Sequence, residues 1–112
     1  MAISFDHFLE TDLRIATIAA VEMIDGADKL YKITLNVGDE KEGELGERTV
    51  AAGLKPYYTP DQLLGKQVLY LANLEPRMLR GVESQGMILA VDDELATLMH
   101  PAKPVKNGSK LR

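Results

Sequence analysis

The chain reads as all-β with short helices, as five strands closing into a small barrel with a helix between the third and fourth. Three observations point there. Tyr31–Val37 alternates cleanly between apolar and polar residues, the mark of a half-buried strand, and Asp12–Met23 reads as a long strand in which Leu13, Ile15, Thr17, Ala19, Val21 and Met23 alternate with Arg14, Ala16, Ile18, Ala20 and Glu22. Two fully apolar runs, Val68–Ala72 and Met87–Val91, are bounded by Gly and Pro punctuation and read as neighbouring buried strands. One sharp helix start, Thr59-Pro60-Asp61-Gln62, falls between the third strand and the first of those runs.

The elements follow in order. Ser4 is a good N-cap for a short helix over residues 4–10, with Ile3 placed to staple onto Phe8. Phe5, Phe8 and Leu9 form its apolar side, expected to plug one end of the core. Asp12 to Met23 is a long strand whose small alanines suit a strong bend, with Arg14 on its less apolar side. Residues 25–29 form a turn. Tyr31, Ile33, Leu35 and Val37 face one side of the second strand, with Lys32, Thr34 and Asn36 on the other. Gly38 opens an acidic loop, and Arg48–Ala52 is the third strand. The helix carries Leu63 and Leu64 inward, and Gly65 stops it. After Asp92, Pro101, Pro104 and Gly108 predict an extended tail with its own hydrophobes at Leu95, Leu98 and Met99. Three strands, a helix and two strands is the layout of the oligonucleotide/oligosaccharide-binding (OB) fold, here with N- and C-terminal extensions.

Composition narrows the class. The 112 residues suffice for a single domain, 1–112, with one modest core. The Met1 start and complete tail read as a whole protein, with an excised domain as the alternative. At 46% hydrophobic and 27% charged residues the mixture is globular rather than disordered. No run is long enough to span a membrane, and the first residues carry no signal-peptide pattern. Without cysteine there are no disulfides, zinc-thiolate sites or thiol catalysis, which fits a reducing cytoplasm.

A net charge of −4 argues at first sight against a nucleic-acid partner, whose phosphates demand cations. The charges, however, are segregated. Asp39, Glu40, Glu42, Glu44 and Glu47 crowd around Lys41, a local −4, and Asp92-Asp93-Glu94 form a second acidic clump. Residues 48–91 carry +2 and residues 101–112 carry +4. A basic face is therefore available, of modest and salt-sensitive affinity. Between the two apolar runs the connector Asn73–Gly81 and the following Ser84-Gln85-Gly86 concentrate donors suited to phosphates and base edges.

Enzyme chemistry is not expected, and neither is a cofactor or a metal. His7 and His100 are far apart, no Gly-rich phosphate loop follows a strand, and no nucleophile motif is present. The acidic loop lacks the ligand spacing and terminal bidentate Glu of a calcium loop.

Six blocks then carry a resemblance: Asp12-Leu13-Arg14, Ala27–Lys32, Gly53-Leu54 with Tyr57–Pro60, Leu64-Gly65-Lys66, Asn73–Gly81 and Ser84–Leu89. Together they resemble the structure-specific tRNA-binding domain family, found as a free-standing dimeric protein and as the C-terminal region or β-subunit of methionyl-tRNA synthetase. The match covers nearly the whole chain. It implies an OB barrel, typically a homodimer, that grips tRNA by shape, with methionyl-tRNA synthetase as a partner. One departure is the acidic, Gly-rich loop over residues 38–47, longer than the family leads one to expect.

On that resemblance Arg77 and Arg80 are expected at phosphates or stacked on bases. Asn73 either bonds a base edge or closes its own turn. Ser84, Gln85 and Met87 are expected at nucleotides, with core packing as the alternative for Met87. Lys32 and Arg14 are expected to line the strand face, Arg14 with a salt bridge to Asp12 or Glu22 as its alternative. Tyr57 and Tyr58 are expected to pack on the barrel end or at a dimer seam. The rival reading of the same architecture is a dimeric, peptide-binding, chaperone-like protein with an apolar groove.

Overall fold

The computed structural model describes every residue from Met1 to Arg112. Its centre is β1 (Leu13–Met23), which pairs antiparallel with two different strands along its length. Residues Thr17–Met23 pair with β2 (Tyr31–Asn36), and Leu13–Thr17 pair with β4 (Gln67–Leu71). The register slips between Ile18 and Ala20, a bulge that bends the strand so that both neighbours can wrap one core. β3 (Glu47–Ala52) lies outside β2, giving the order β3-β2-β1-β4-β7 with β7 at Met87–Ile88. No helix is long and apolar enough to cross a membrane.

The period-two reading of β2 holds. Tyr31, Ile33 and Leu35 are buried, and Val37 beyond the strand end is buried with them. They meet Ala16, Ile18, Val50, Val68, Tyr70 and Ile88 in one apolar cluster. Leu63, fully buried on helix α2 (Pro60–Leu63), closes the barrel end. That helix starts as expected, the Gln62 side chain accepting from the Thr59 N–H at 2.8 Å.

Closure runs through side chains. β3 does not continue a backbone ladder onto β7. Instead Ala51 N–H donates to Ser84 Oγ at 3.1 Å, Thr49 N–H to Gln85 Oε1 at 2.9 Å, and Gln85 N–H to the Thr49 carbonyl at 2.7 Å. The Tyr70 hydroxyl donates to the Gln85 carbonyl. Gly86 sits so close to Leu71 and Tyr70 that a Cβ would collide with both, at a φ of +89°. Burial pushes the Tyr70 hydroxyl above its ordinary pKa, with nearby Arg48 opposing that shift.

Two expectations are corrected, the plugging helix and the unbroken last strand, and two regions gain detail. Helix α1 (Phe5–Phe8) does not plug the core: Phe5 and Leu9 stay mostly exposed, and Phe5 packs on Phe8 instead. The connector before the last strand folds into its own hairpin, β5 (Arg77–Leu79) with β6 (Val82–Ser84). The run from Met87 to Val91 is broken at Leu89, after which β8 (Ala90–Asp92) leaves to pair with β9 (Ala96–Leu98). The tail returns to the barrel edge. Ile15 and Leu111 N–H groups donate to the Ser109 and Leu13 carbonyls, so residues 108–111 take the place beside β1 that β2 leaves free.

Candidate nucleic-acid interface

The β5–β6 hairpin is a short flap beside the outer face of β2 and β3. Its two-residue turn, Arg80-Gly81, has φ of +50° and +82°, the left-handed pair of a type I′ turn. Asn-Gly is the favoured pair there. An arginine in that conformation costs backbone energy that asparagine or glycine avoids. On one side of the turn a cleft is lined by Lys32, Thr49, Gly81, Val82, Glu83 and Gln85, one cation facing one carboxylate; on the other, a cleft is lined by the Ala27–Leu30 loop and Arg80.

The cations of this region are nearly free. Arg77 and Arg80 are exposed and belong to no ion pair. Lys32 stands 3.6 Å from Glu22 with its side chain 42% exposed, a surface contact that leaves the ammonium available. Met78 on the hairpin and Met87 on β7 are also exposed, adaptable apolar surface.

Four of the residues expected here make hydrogen bonds within the fold. Arg14 is buried on the core-facing side of β1. Its Nε and Nη2 donate to the two Asp12 oxygens at 2.8 and 3.3 Å, and Nη1 donates to Glu44 Oε2 at 2.9 Å. The alternative of an Asp12 salt bridge is what forms, with the guanidinium buried. Asn73 accepts from Asp12 N–H at 2.8 Å and donates to the Glu10 carbonyl at 2.6 Å, stapling α1 to the barrel rather than closing its own turn. Ser84 and Gln85 are the closure residues described above: the Ser84 hydroxyl and Gln85 Oε1 hold β3, while Gln85 also lines the cleft beside Lys32. Tyr58 packs as expected, its hydroxyl accepting from Leu98 N–H at 3.1 Å, and Tyr57 remains partly exposed.

The acidic loop is kept away from these cations. Glu44 pairs with Arg14, and Glu42 pairs with Lys106 at 2.7 Å, which raises the Lys106 pKa. The loop leaves the C-terminal end of β2, whereas the Ala27–Leu30 loop enters its N-terminal end. Six strand residues at about 3.3 Å each separate the two by roughly 20 Å. Physiological salt screens exposed charges over about 8 Å, so the carboxylates barely reach the hairpin.

Asp28, Lys29 and Thr49 join the site without having been singled out in the sequence. A signal for the first two exists, since they lie in the Ala27–Lys32 block of the resemblance. Thr49 has none.

The model of the family described as "Putative tRNA binding domain" matches residues 13–110. Methionine–tRNA ligase of Thermococcus kodakarensis is 49% identical over 111 residues, 98% of this chain and 14% of that protein. The Deinococcus radiodurans enzyme is 48% identical over 112 residues, 16% of its length. The chain thus spans about one-seventh of these relatives. Among solved structures, a MetRS-related protein from Pyrococcus horikoshii superposes with a TM-score of 0.89 at 26% identity, covering all of this chain and 99% of that one. The chaperone CsaA of Bacillus anthracis, at 24% identity and a TM-score of 0.85 over the full length of both chains, shares the fold. With a nearly closed five-stranded OB-like barrel and a family model matched over almost its whole length, the chain belongs to the tRNA-binding domain family.

Proposed function

We propose that this chain is a non-catalytic module that binds tRNA in the cytoplasm by backbone and shape, adding affinity to methionyl-tRNA synthetase as a fused module or a separate β-subunit. The observation that carries the reading is the hairpin. It holds two unpaired arginines, one of them in a backbone conformation that arginine disfavours, and such strain is typically retained at functional sites. Lys32, Arg77 and Arg80 contact phosphates or stack on exposed bases, and Met87 provides apolar contact. Arg14, Asn73, Ser84 and Gln85 act as scaffold. With so few cations each site is weak, and a symmetric homodimer would supply avidity. The exposed Ile3, Phe5 and Leu9 with Leu95 and Met99 are apolar surface for that seam.

A gel-shift titration with total tRNA tests this. Wild type loses most of its retention between about 50 and 200 mM salt. Arg77→Ala/Arg80→Ala weakens binding about tenfold or more and flattens the salt slope by roughly one unit for each phosphate no longer neutralised. Unchanged retention by the double variant overturns the assignment. Salt-insensitive binding of unfolded peptide in place of tRNA would move the chain to the chaperone-like reading. A monomer on a sizing column removes the avidity argument.

A further inference from the structure

The cleft between the Ala27–Leu30 loop and the Arg80 turn holds a group that phosphate binding does not need. Asp28 is exposed and lines it together with Lys29 and Arg80, yet its carboxylate pairs with no cation. A carboxylate in such a place repels the phosphate backbone, so it lowers non-specific affinity. The loop that carries it is also held firmly. Ala27 is buried, its N–H donates to the Ile24 carbonyl at 3.1 Å, and its carbonyl accepts from Lys55 Nζ at 3.2 Å. The Lys55 backbone N–H donates to the Lys29 carbonyl at 3.3 Å, bracketing Asp28 from both sides. Asp28 is therefore presented by an anchored loop.

We propose that this cleft is a single-nucleotide pocket that takes an unpaired guanine, with Asp28 as the specificity-determining residue. The inference rests on the RNA-interface reading above and adds a base preference to it. A carboxylate offers two acceptor oxygens side by side. Guanine alone among the four bases presents two adjacent donors on its pairing edge, N1–H and the N2 amine. Adenine, cytosine and uracil each place an acceptor next to their donor, which the carboxylate repels. The base must be unpaired, because pairing occupies that edge. Leu30 offers apolar contact to the ring, and Lys29 and Arg80 take the flanking phosphates. The adjoining cleft with Lys32 and Thr49, across the same turn, receives the next nucleotide along the strand.

The test uses short fluorescein-labelled oligouridylates, all-uridine or with one central guanine, adenine or cytosine, read by anisotropy. Wild type favours the guanine chain over the all-uridine chain by about tenfold, the size of one good bidentate base contact. Asp28→Ala and Asp28→Asn abolish that preference, and Asp28→Ala binds the all-uridine chain more tightly because a negative charge has left. Both variants keep the wild-type melting temperature, since Asp28 is exposed and unpaired. RNA binding without a guanine preference, or a preference that survives Asp28→Ala, overturns the pocket and leaves the interface standing. Failure of every oligonucleotide to bind overturns the pocket, and total tRNA titrated alongside decides the interface: if tRNA also fails to bind, both readings fall.

Discussion

The two ends of β2 handle charge in opposite ways. At its C-terminal end the acidic loop is tied down: Glu44 reaches the buried Arg14, Glu42 reaches Lys106, and the tail packs alongside. At its N-terminal end the Arg80 hairpin and the Ala27–Leu30 loop leave Arg77, Arg80, Lys29 and Asp28 without ion-pair partners. Net charge therefore says little about what the protein can bind. Charges tied into ion pairs at one end serve the fold, and the unpaired charges at the other set the local field there. A chain of net −4 can present a cationic face by this division.

The contrast breaks most visibly at the tied end. Arg14→Ala leaves the Asp12 and Glu44 carboxylates facing each other, partly buried and unpartnered, and is expected to cost about 3 kcal/mol in urea denaturation. A loss below about 1 kcal/mol would mean that the tail's backbone bonds, not the ion triad, hold this end. At the open end the expected effect is smaller and has opposite signs in two assays. Arg80→Gly relieves the left-handed turn and raises stability by about 0.5–1 kcal/mol. The same change weakens tRNA binding several-fold, roughly the worth of one phosphate or stacking interaction. Stability and affinity falling together would refute the strain reading.

The smallest effect lies in the core, at Tyr70 on β4. Its folded-state pKa is raised, so it stabilises the fold fully below about pH 10 and loses that contribution as pH climbs toward the folded value. Wild type is therefore expected to lose stability more steeply above about pH 10 than Tyr70→Phe does, measured by thermal melts across that range. Parallel curves would show that the hydroxyl ionises as easily inside the barrel as outside.

Much of the fold is legible in the residues because its signals are local. The alternation Tyr31, Ile33, Leu35, Val37 needs only the pleat of one strand, and Thr59-Pro60-Asp61-Gln62 needs only one helical turn. What escapes depends on distant partners. Arg14 reads as a surface cation until Glu44 and the returning tail are brought beside it. Asn73 reads as a turn residue until its partners Glu10 and Asp12, more than sixty positions away, are known. The β5–β6 hairpin has strands of three residues, too short for periodicity to register, and its turn hides behind an arginine where Asn-Gly would have advertised it. Helix α1 departs from expectation for another reason. Its apolar pattern is real, but a pattern states only that a face wants cover, not which surface supplies it.

The Ser84–Gln85 joint that closes the barrel follows directly, in sequence, from the hairpin carrying Arg77 and Arg80. Three hydrogen bonds, two of them through side chains, hold that joint where a full ladder would hold an ordinary strand edge. Fraying there requires far less than global unfolding. A polyanion laid across both the hairpin and the outer face of β2 would bridge this weakest stave of the cylinder, stiffening it from outside like a hoop.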